Sequence, residues 1–483
     1  MRKVSRRTFV KAALLGAAGA GVASAQTRPQ GSARLLSIGD LGFPNGAAQW
    51  RGLSSVGAAM QVRGQTATDL IGTTLRVPPD AGIRFFDLDF RERRTPDRAR
   101  LDPIARLIKT TFAKPKRHFA FEYYPWYRTN PWEHWDQFER KPPIDSATTM
   151  MPLLGPYDSV NTAVIEQHAR WIADAGVGVV NLSWWGRGSS TDAAVHTIMD
   201  VMRAHDIHVT FHLEPYRDDR GRFLADDLLY LIREYGERRR WDCFHLLERA
   251  DSTSGPVFKL FRSIVPSTTT DCRGVTTPVP DYTPDATWRQ QIELARGTFK
   301  SLFPLTILAD SLDVGRTAAS GFDGIAIYDN FVSPTLWPAA TAAFYNAGLL
   351  ASFNIHAGFD AIEPRSGFGP CYLPQPFSPP VGPVDWTNAA ERNRVALAND
   401  ERITDTFNTT LGLQLSLDGV NRKQGFFMVY INSFNEWHEG SSFEPTRPWS
   451  DLTAAERAVG YRNPNIGTQR LSTLGALLST ITR

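Results

Sequence analysis

Two glutamates, Glu436 and Glu439, stand three residues apart in the segment Tyr430-Ile-Asn-Ser-Phe-Asn-Glu-Trp-His-Glu-Gly-Ser-Ser-Phe-Glu-Pro445. Carboxyl groups this close can divide acid and base work when their environments differ, because burial raises one pKa while hydrogen bonds keep the other group ionised. Cleavage of a glycosidic bond is one reaction built on that division. A bare Glu-x-x-Glu is common on helix faces and carries no such meaning. Here Asn435, Trp437 and His438 interleave with the pair and add hydrogen-bonding groups and an aromatic plane.

Something must position the pair. Gly425-Phe-Phe-Met-Val-Tyr-Ile431 is an apolar run that reads as a buried parallel strand, so the polar cluster begins where a strand ends. From Arg117 onward such runs alternate with helical patterns, as in repeated βα units. The expected strands are residues 119–124, 177–183, 208–213, 257–261, 305–309, 324–328, 349–353 and 426–431. Eight such strands predict an α/β fold, a closed (β/α)8 TIM barrel over residues 116–483.

Directly after these strands come Trp126, Trp184 and Trp185, Glu214 and Tyr216, Asp310, Asp329 and Asn330, His356, and Asn435 through Glu439. Barrel active sites occupy the carboxyl-terminal face, so the spacing predicts one shared crater. The long connections 263–287 and 362–387 follow the fourth and seventh strands and belong to the same face. The second, with Trp386, is expected to wall the cleft.

A sugar presents an apolar ring face that stacks on an aromatic plane and hydroxyls that need fixed partners, which is what Trp beside Glu, Asn and His supplies. Glu214, and with it Tyr328 and Asp329, read as grips for hydroxyls. His134, His212, His356 and His438 lie at separate positions without the close-spaced pair of a zinc helix. They read as partners of hydroxyls or carboxylates, and neither metal nor cofactor is expected.

Four stretches together resemble glycoside hydrolase family 99, the endo-α-mannosidases, and their bacterial relatives. They are Tyr123-Tyr-Pro-Trp-Tyr127 with Trp132, His134 and Trp135 downstream, Leu182-Ser-Trp-Trp-Gly186, Phe211-His-Leu-Glu-Pro-Tyr216, and Asn435-Glu-Trp-His-Glu-Gly440 followed by Glu444-Pro445. The resemblance spans residues 117–447. It implies a (β/α)8 fold and a retaining endo-α-mannosidase in which the substrate's own 2-hydroxyl replaces an enzymic nucleophile.

On matching positions, the resemblance implies that Glu436 assists the 2-hydroxyl and that Glu439 protonates the leaving oxygen and then activates water. Asn435 and His438 would orient these groups. Tyr124, Trp126, Trp184 or Trp185, His212, Glu214 and Tyr216 would line the cleft. Arg128, Arg187 and Ser441-Ser-Phe443 depart from the family pattern at the rim, which bears on the substrate more than on the reaction.

The first 25 residues carry Arg6-Arg7, a short apolar run and Ala23-Ser-Ala25, the pattern of a twin-arginine signal with its cleavage site. Residues 26–115 lack a sustained helical period. They read as a small, β-leaning extension with strand candidates at 74–77 and 83–89. Removal of the leader takes Arg2, Lys3, Arg6, Arg7 and Lys11 from the 53 Lys plus Arg, which then nearly balance 50 Asp plus Glu.

No basic stripe argues for nucleic acid, and no span of the mature chain argues for a membrane. The expected partners are an oligosaccharide or polysaccharide and, during export, the twin-arginine translocase. The expected place is the periplasm or beyond. Of three cysteines, Cys272 and Cys371 lie in polar loops that a disulfide could join, and Cys243 lies in a helix-to-strand connection.

Two other readings stay open. One is a barrel that binds glycan or assists polysaccharide assembly without catalysis. The other is a retaining hydrolase of another glycan that uses an enzymic nucleophile. The export expectation is testable at once: replacing Arg6 and Arg7 with Lys should leave the folded protein in the cytoplasm. Cell fractionation showing unchanged export would remove the signal assignment.

Overall fold

Strand-length apolar runs separated by amphipathic helices fold into a ring of parallel strands in the computed structural model, which describes residues 34–36, 75–77 and 97–483 apart from 238–239, 329–332 and 376. The leader, the strand candidate at 83–89, Asp329 and Asn330 lie outside the described residues. The strands are β1 (Phe119–Tyr123), β2 (Val179–Trp184), β3 (His208–Leu213), β4 (Ser254–Leu260), β5 (Thr306–Ala309) and β6 (Gly324–Ala326). The ring continues with β7, in two pieces at Leu350–Ser352 and Ile355–His356, and β8 (Val429–Asn432).

Each strand pairs in parallel with its neighbour in chain order, from β1 through β6 to the first piece of β7. The second piece of β7 pairs with β8, and β8 pairs with β1, so the sheet curls shut through the break at residues 353–354. All eight expected strands are present, with shifts at their ends. The fold is the expected α/β barrel.

Helices cover the outside because each crossover between parallel strands must return over the sheet. Side chains start several of them: Asn161 caps Thr162–Asp174, Ser189 caps Ser190–Ala204, and Asn388 caps Ala389–Gln414, each accepting a backbone N–H of the first turn. The last helix, Gln469–Thr482, packs on Arg98–Thr111 and closes the ring of helices.

The helix Arg98–Thr111 is a correction to the reading of 26–115 as lacking helical period. Asp97 caps it and Leu101, Ala105 and Ile108 are its buried stripe. Pro103, in the second turn, and several arginines masked that stripe in the sequence. Farther upstream, Arg34–Leu36 pairs antiparallel with Leu75–Val77.

The connection after β4 forms an exposed hairpin, Thr268–Thr270 with Thr276–Pro278. Cys272 at its tip is joined by a disulfide to Cys371 in the connection after β7, while Cys243 is free and buried. The hairpin therefore reaches past the ends of β5 and β6 to hold the β7 loop. Replacing Cys272 and Cys371 with Ser should destabilise the protein by about 2–4 kcal/mol, the usual range for a native bridge. An unchanged unfolding midpoint for the double variant would show that the bridge adds no stability.

Candidate active site

Alternate residues of a strand face opposite sides, and in a barrel one side is the interior. At the bottom the inward set is apolar, with Ala120, Val179, Val257, Leu308, Ala326, Leu350, Met428 and Tyr430 in one cluster. Two residues further along the strands, the inward set is polar. Glu122 on β1 accepts from Lys259 Nζ on β4 at 2.6 Å, lies 2.8 Å from His212 Nδ1 on β3, and accepts from Asn181 Nδ2 on β2 at 2.9 Å. Burial alone would raise the Glu122 pKa, but Lys259 and His212 outweigh it and bring it down to about 2.

The next level opens toward the mouth. Glu214 is buried and accepts from Ser183 Oγ at 2.8 Å; burial pushes its carboxyl up, against His212 and Ser183. The Tyr124 phenol is raised well above its ordinary value, first by burial and then by Tyr328, Glu122, Glu214 and Glu436 around it. Side chains from β1, β3, β6 and the loop after β8 thus converge on one place.

In that loop the two carboxylates have different surroundings. Glu436 is buried, its N–H donates to Ser433 Oγ at 2.8 Å, and its Oε1 accepts the N–H of His438 at 3.1 Å. Glu439 is half-buried, and its Oε2 accepts from the Tyr328 hydroxyl at 3.2 Å. The N–H groups of Ile362 and Asp360 donate to the carbonyls of His438 and Glu439, both at 2.8 Å, so the loop after β7 does border the pair. Gly440 turns the chain away at φ +58, where a Cβ would meet the Asp360 carbonyl at 2.4 Å.

Aromatic rings form one wall. Trp126 stacks on His134 with centroids 4.8 Å apart and planes 9° apart, and the His438 ring lies against both, 5.6 Å from His134 and 6.3 Å from Trp126. His438 Nε2 lies 2.8 Å from the His134 carbonyl, so it carries the proton and donates, and burial lowers the His438 pKa to about 4. Trp185 lies 6.2 Å from Trp126. The indole N–H of Trp185 and the Nε2 of His212 are buried without a hydrogen-bond partner among the described residues, which leaves them as contacts for a polar ligand.

Most residues singled out in the sequence gather here: Tyr124, Trp126, His134, Trp185, His212, Glu214, Tyr328, Glu436, His438 and Glu439. Three take other positions. Trp184 faces outward, because the alternation that turns Ser183 into the barrel turns its neighbour toward the helices. It is fully buried and donates to Asp192 at 2.7 Å, so of the pair only Trp185 has a face for a sugar. Tyr216 packs on Trp184 and Gly186 and donates its hydroxyl to Asp227.

Asn435 is wholly buried, and its amide clasps Tyr124, accepting from the N–H at 2.8 Å and donating to the carbonyl at 3.0 Å. Two further sequence features resolve similarly. His356 is buried beside Trp337, and Trp386 packs near Phe377 and Arg462 rather than at the pair. Arg128 donates to the carbonyls of Pro125 and Tyr127, while Arg187 lies over the Tyr230 ring.

Sequence reasoning missed Glu122 and Lys259. The signal was present, since each is the lone charge in an otherwise apolar strand and opposite charges in buried strands need each other. It also missed Tyr157, whose hydroxyl donates to Glu444 at 2.7 Å and accepts from Asn435 at 3.2 Å and Trp437 at 3.1 Å. Nothing in its local sequence pointed there. Among the described residues, no group of three His, Cys, Asp or Glu is arranged to hold a metal.

A carboxylate pair of unequal environment at the mouth of a parallel barrel, walled by tryptophan and histidine, is suited to glycoside hydrolysis. Residues 117–268 match the family described as Glycosyl hydrolase family 99. The chain is 28% identical over 382 residues to the glycoprotein endo-alpha-1,2-mannosidase of Rattus norvegicus, covering 72% of each. It is 24% identical over 400 residues to that of Xenopus laevis, covering 76% of this chain and 78% of the relative. The structure of an endo-alpha-mannosidase from Bacteroides thetaiotaomicron shares the fold, with a TM-score of 0.50 and 18% identity over 75% of this chain and 97% of that one. The chain is a glycoside hydrolase that resembles family 99 over residues 117–268.

The buried histidines make stability depend on pH. Burial lowers His118, His208 and His438 to about 4, and His134 and His245 well below the ordinary value. Between pH 6.5 and 4 the unfolded chain therefore takes up protons that the folded chain does not, and stability falls as pH falls. Asp227, raised to about 6, and the raised Glu214 and Asp360 act in the opposite sense but are fewer. Below about pH 4.5 the loss steepens as the depressed Glu122 begins to count. The melting temperature should drop from pH 7 to pH 5, and a flat profile there would contradict this balance.

Proposed function

We propose that this protein is a retaining endo-α-mannosidase that cleaves internal α-mannosidic bonds of mannan or mannose-rich glycans with participation of the substrate's 2-hydroxyl. The observation that carries the reading is the inequality of the pair. Glu436 is buried and accepts a backbone N–H, while the more open Glu439 accepts from the Tyr328 phenol. The names of the relatives at 28% and 24% identity support the mannose-containing substrate.

Glu436 takes the proton of the 2-hydroxyl as that oxygen attacks C1, and Glu439 gives its proton to the leaving oxygen as the glycosidic bond breaks. The product of this step is a 1,2-anhydro sugar. Glu439, now a carboxylate, removes a proton from water, which opens the anhydro ring at C1, and the 2-oxygen recovers its proton from Glu436. Two displacements at C1 retain configuration. Trp126 and Trp185 offer stacking planes, and His212 and Glu214 lie where hydroxyls of the bound sugar need partners.

The twin-arginine leader and a periplasmic or secreted location belong to the same proposal. The Cys272–Cys371 disulfide supports them, since such bonds persist outside the reducing cytoplasm. Among the described residues, no helix is long and apolar enough to cross a membrane.

Glu436→Gln and Glu439→Gln should each lose at least about 10²-fold in rate, the lower end for general acid–base catalysis, while still binding glycan. A 2-deoxy or 2-fluoro substrate should be turned over very poorly and leave no sugar attached to either glutamate. Mass spectrometry finding a glycosyl adduct on Glu436 would replace the 2-hydroxyl route with ordinary double displacement, and an inverted product by NMR would exclude both.

A further inference from the structure

Below Glu439 lies a buried ion pair for which the hydrolytic chemistry has no use of its own. Glu122 and Lys259 are fully buried, and their charges meet at 2.6 Å. A pair of this kind is costly to desolvate and is often no more stable than neutral groups of the same volume. What sets it apart is what it touches. The Lys259 ammonium lies 5.3 Å from the centre of the Tyr328 ring, and the hydroxyl of that ring donates to Glu439 Oε2 at 3.2 Å. The second oxygen of Glu122 lies 2.8 Å from His212 Nδ1, and the His212 ring packs 5.7 Å from Tyr328.

We propose that Glu122 and Lys259 are positioning residues for the hydrolytic reaction, holding Tyr328 as the donor to Glu439 and holding His212 with its proton on Nδ1. The inference rests on the reading of Glu439 as acid and base. A cation against a phenol ring draws on its π electrons and makes the hydroxyl a stronger donor. A carboxylate on Nδ1 fixes the imidazole tautomer and orientation, so that Nε2, which has no partner among the described residues, is left as an acceptor for a sugar hydroxyl. Asn181 completes the arrangement by donating to Glu122 at 2.9 Å, which keeps the carboxylate from turning.

The test is a mutant cycle in which Glu122→Gln with Lys259→Met removes both charges at similar volume, in the native background and in Tyr328→Phe. Initial rates on an α-mannan oligosaccharide give kcat and KM, and thermal melting checks the fold. The expected result is a folded variant with little change in KM, a kcat lower by about tenfold or more, as when groups that orient metal ligands are removed, and a displaced pH–kcat profile. In Tyr328→Phe the same two changes should cost much less, because the group they act through is gone.

Losses equal in the two backgrounds within about twofold, the additivity expected of uncoupled sites, would overturn the proposal. So would native kcat and pH profile in the charge-free variant. If that variant does not fold, Glu122→Asp, which keeps the charge but shortens its reach, is put through the same cycle with the same two outcomes. No cleavage by the unmodified protein would sink the hydrolytic reading itself, whereas cleavage with an additive cycle would sink only this inference.

Discussion

The clasp between Asn435 and the backbone of Tyr124 is the contact on which the site depends. It joins the loop leaving β8 to the end of β1, so both sides of the barrel's last seam are held by one buried side chain. A buried amide that uses donor and acceptor in opposite directions has one low-energy orientation, because any turn would leave backbone groups unpaired. Glu436 is the next residue along and inherits that orientation. Behind it, Tyr157, Trp437, Glu444 and His168 form a closed polar cluster in which Glu444 accepts from Tyr157, His168 and Trp437. Glu444, which follows the carboxylate pair in the chain, is a foundation for that loop.

The barrel interior shows how a core becomes a site over a few residues. Its bottom is an apolar plug, its middle a paired charge cluster, and its top a set of hydroxyl and carboxyl groups with spare hydrogen-bonding capacity. Strand alternation along β1 to β4 produces this order. Placing Glu214 over an ionised Glu122 and beside His212 gives neighbouring carboxyl groups opposite pKa shifts, one raised by burial and one lowered by its partners.

Loops complete what the strands begin. The connection after β7 supplies two backbone donors to the segment that carries the carboxylate pair, and Arg365 in it pairs with Asp145, from the connection after β1, through two bonds of 2.6 and 2.7 Å. Its middle is tied by the disulfide to the hairpin after β4. A long irregular segment pinned at three places has little freedom to lose on binding a chain, which favours a preformed cleft.

Much of this was legible in the sequence, for physical reasons that particular residues make plain. Parallel strands buried on both faces must be apolar runs, so all eight could be read, and residues after a strand end must lie at the mouth, so Glu436, Glu439, Trp126 and Glu214 could be placed. The helix Arg98–Thr111 could not be read with the same ease, because one Pro and several charges hid three buried positions. What only the tertiary structure decided was direction and partnership. Trp184 and Trp185 are equivalent in a string of letters, yet the pleat sends one into the helix layer and leaves the other at the mouth. Asn435 looked like a ligand for sugar and is committed to Tyr124, 311 residues away. Glu122 and Lys259, 137 residues apart, become one group only when the barrel closes, since a buried charge takes its meaning from what folding places beside it.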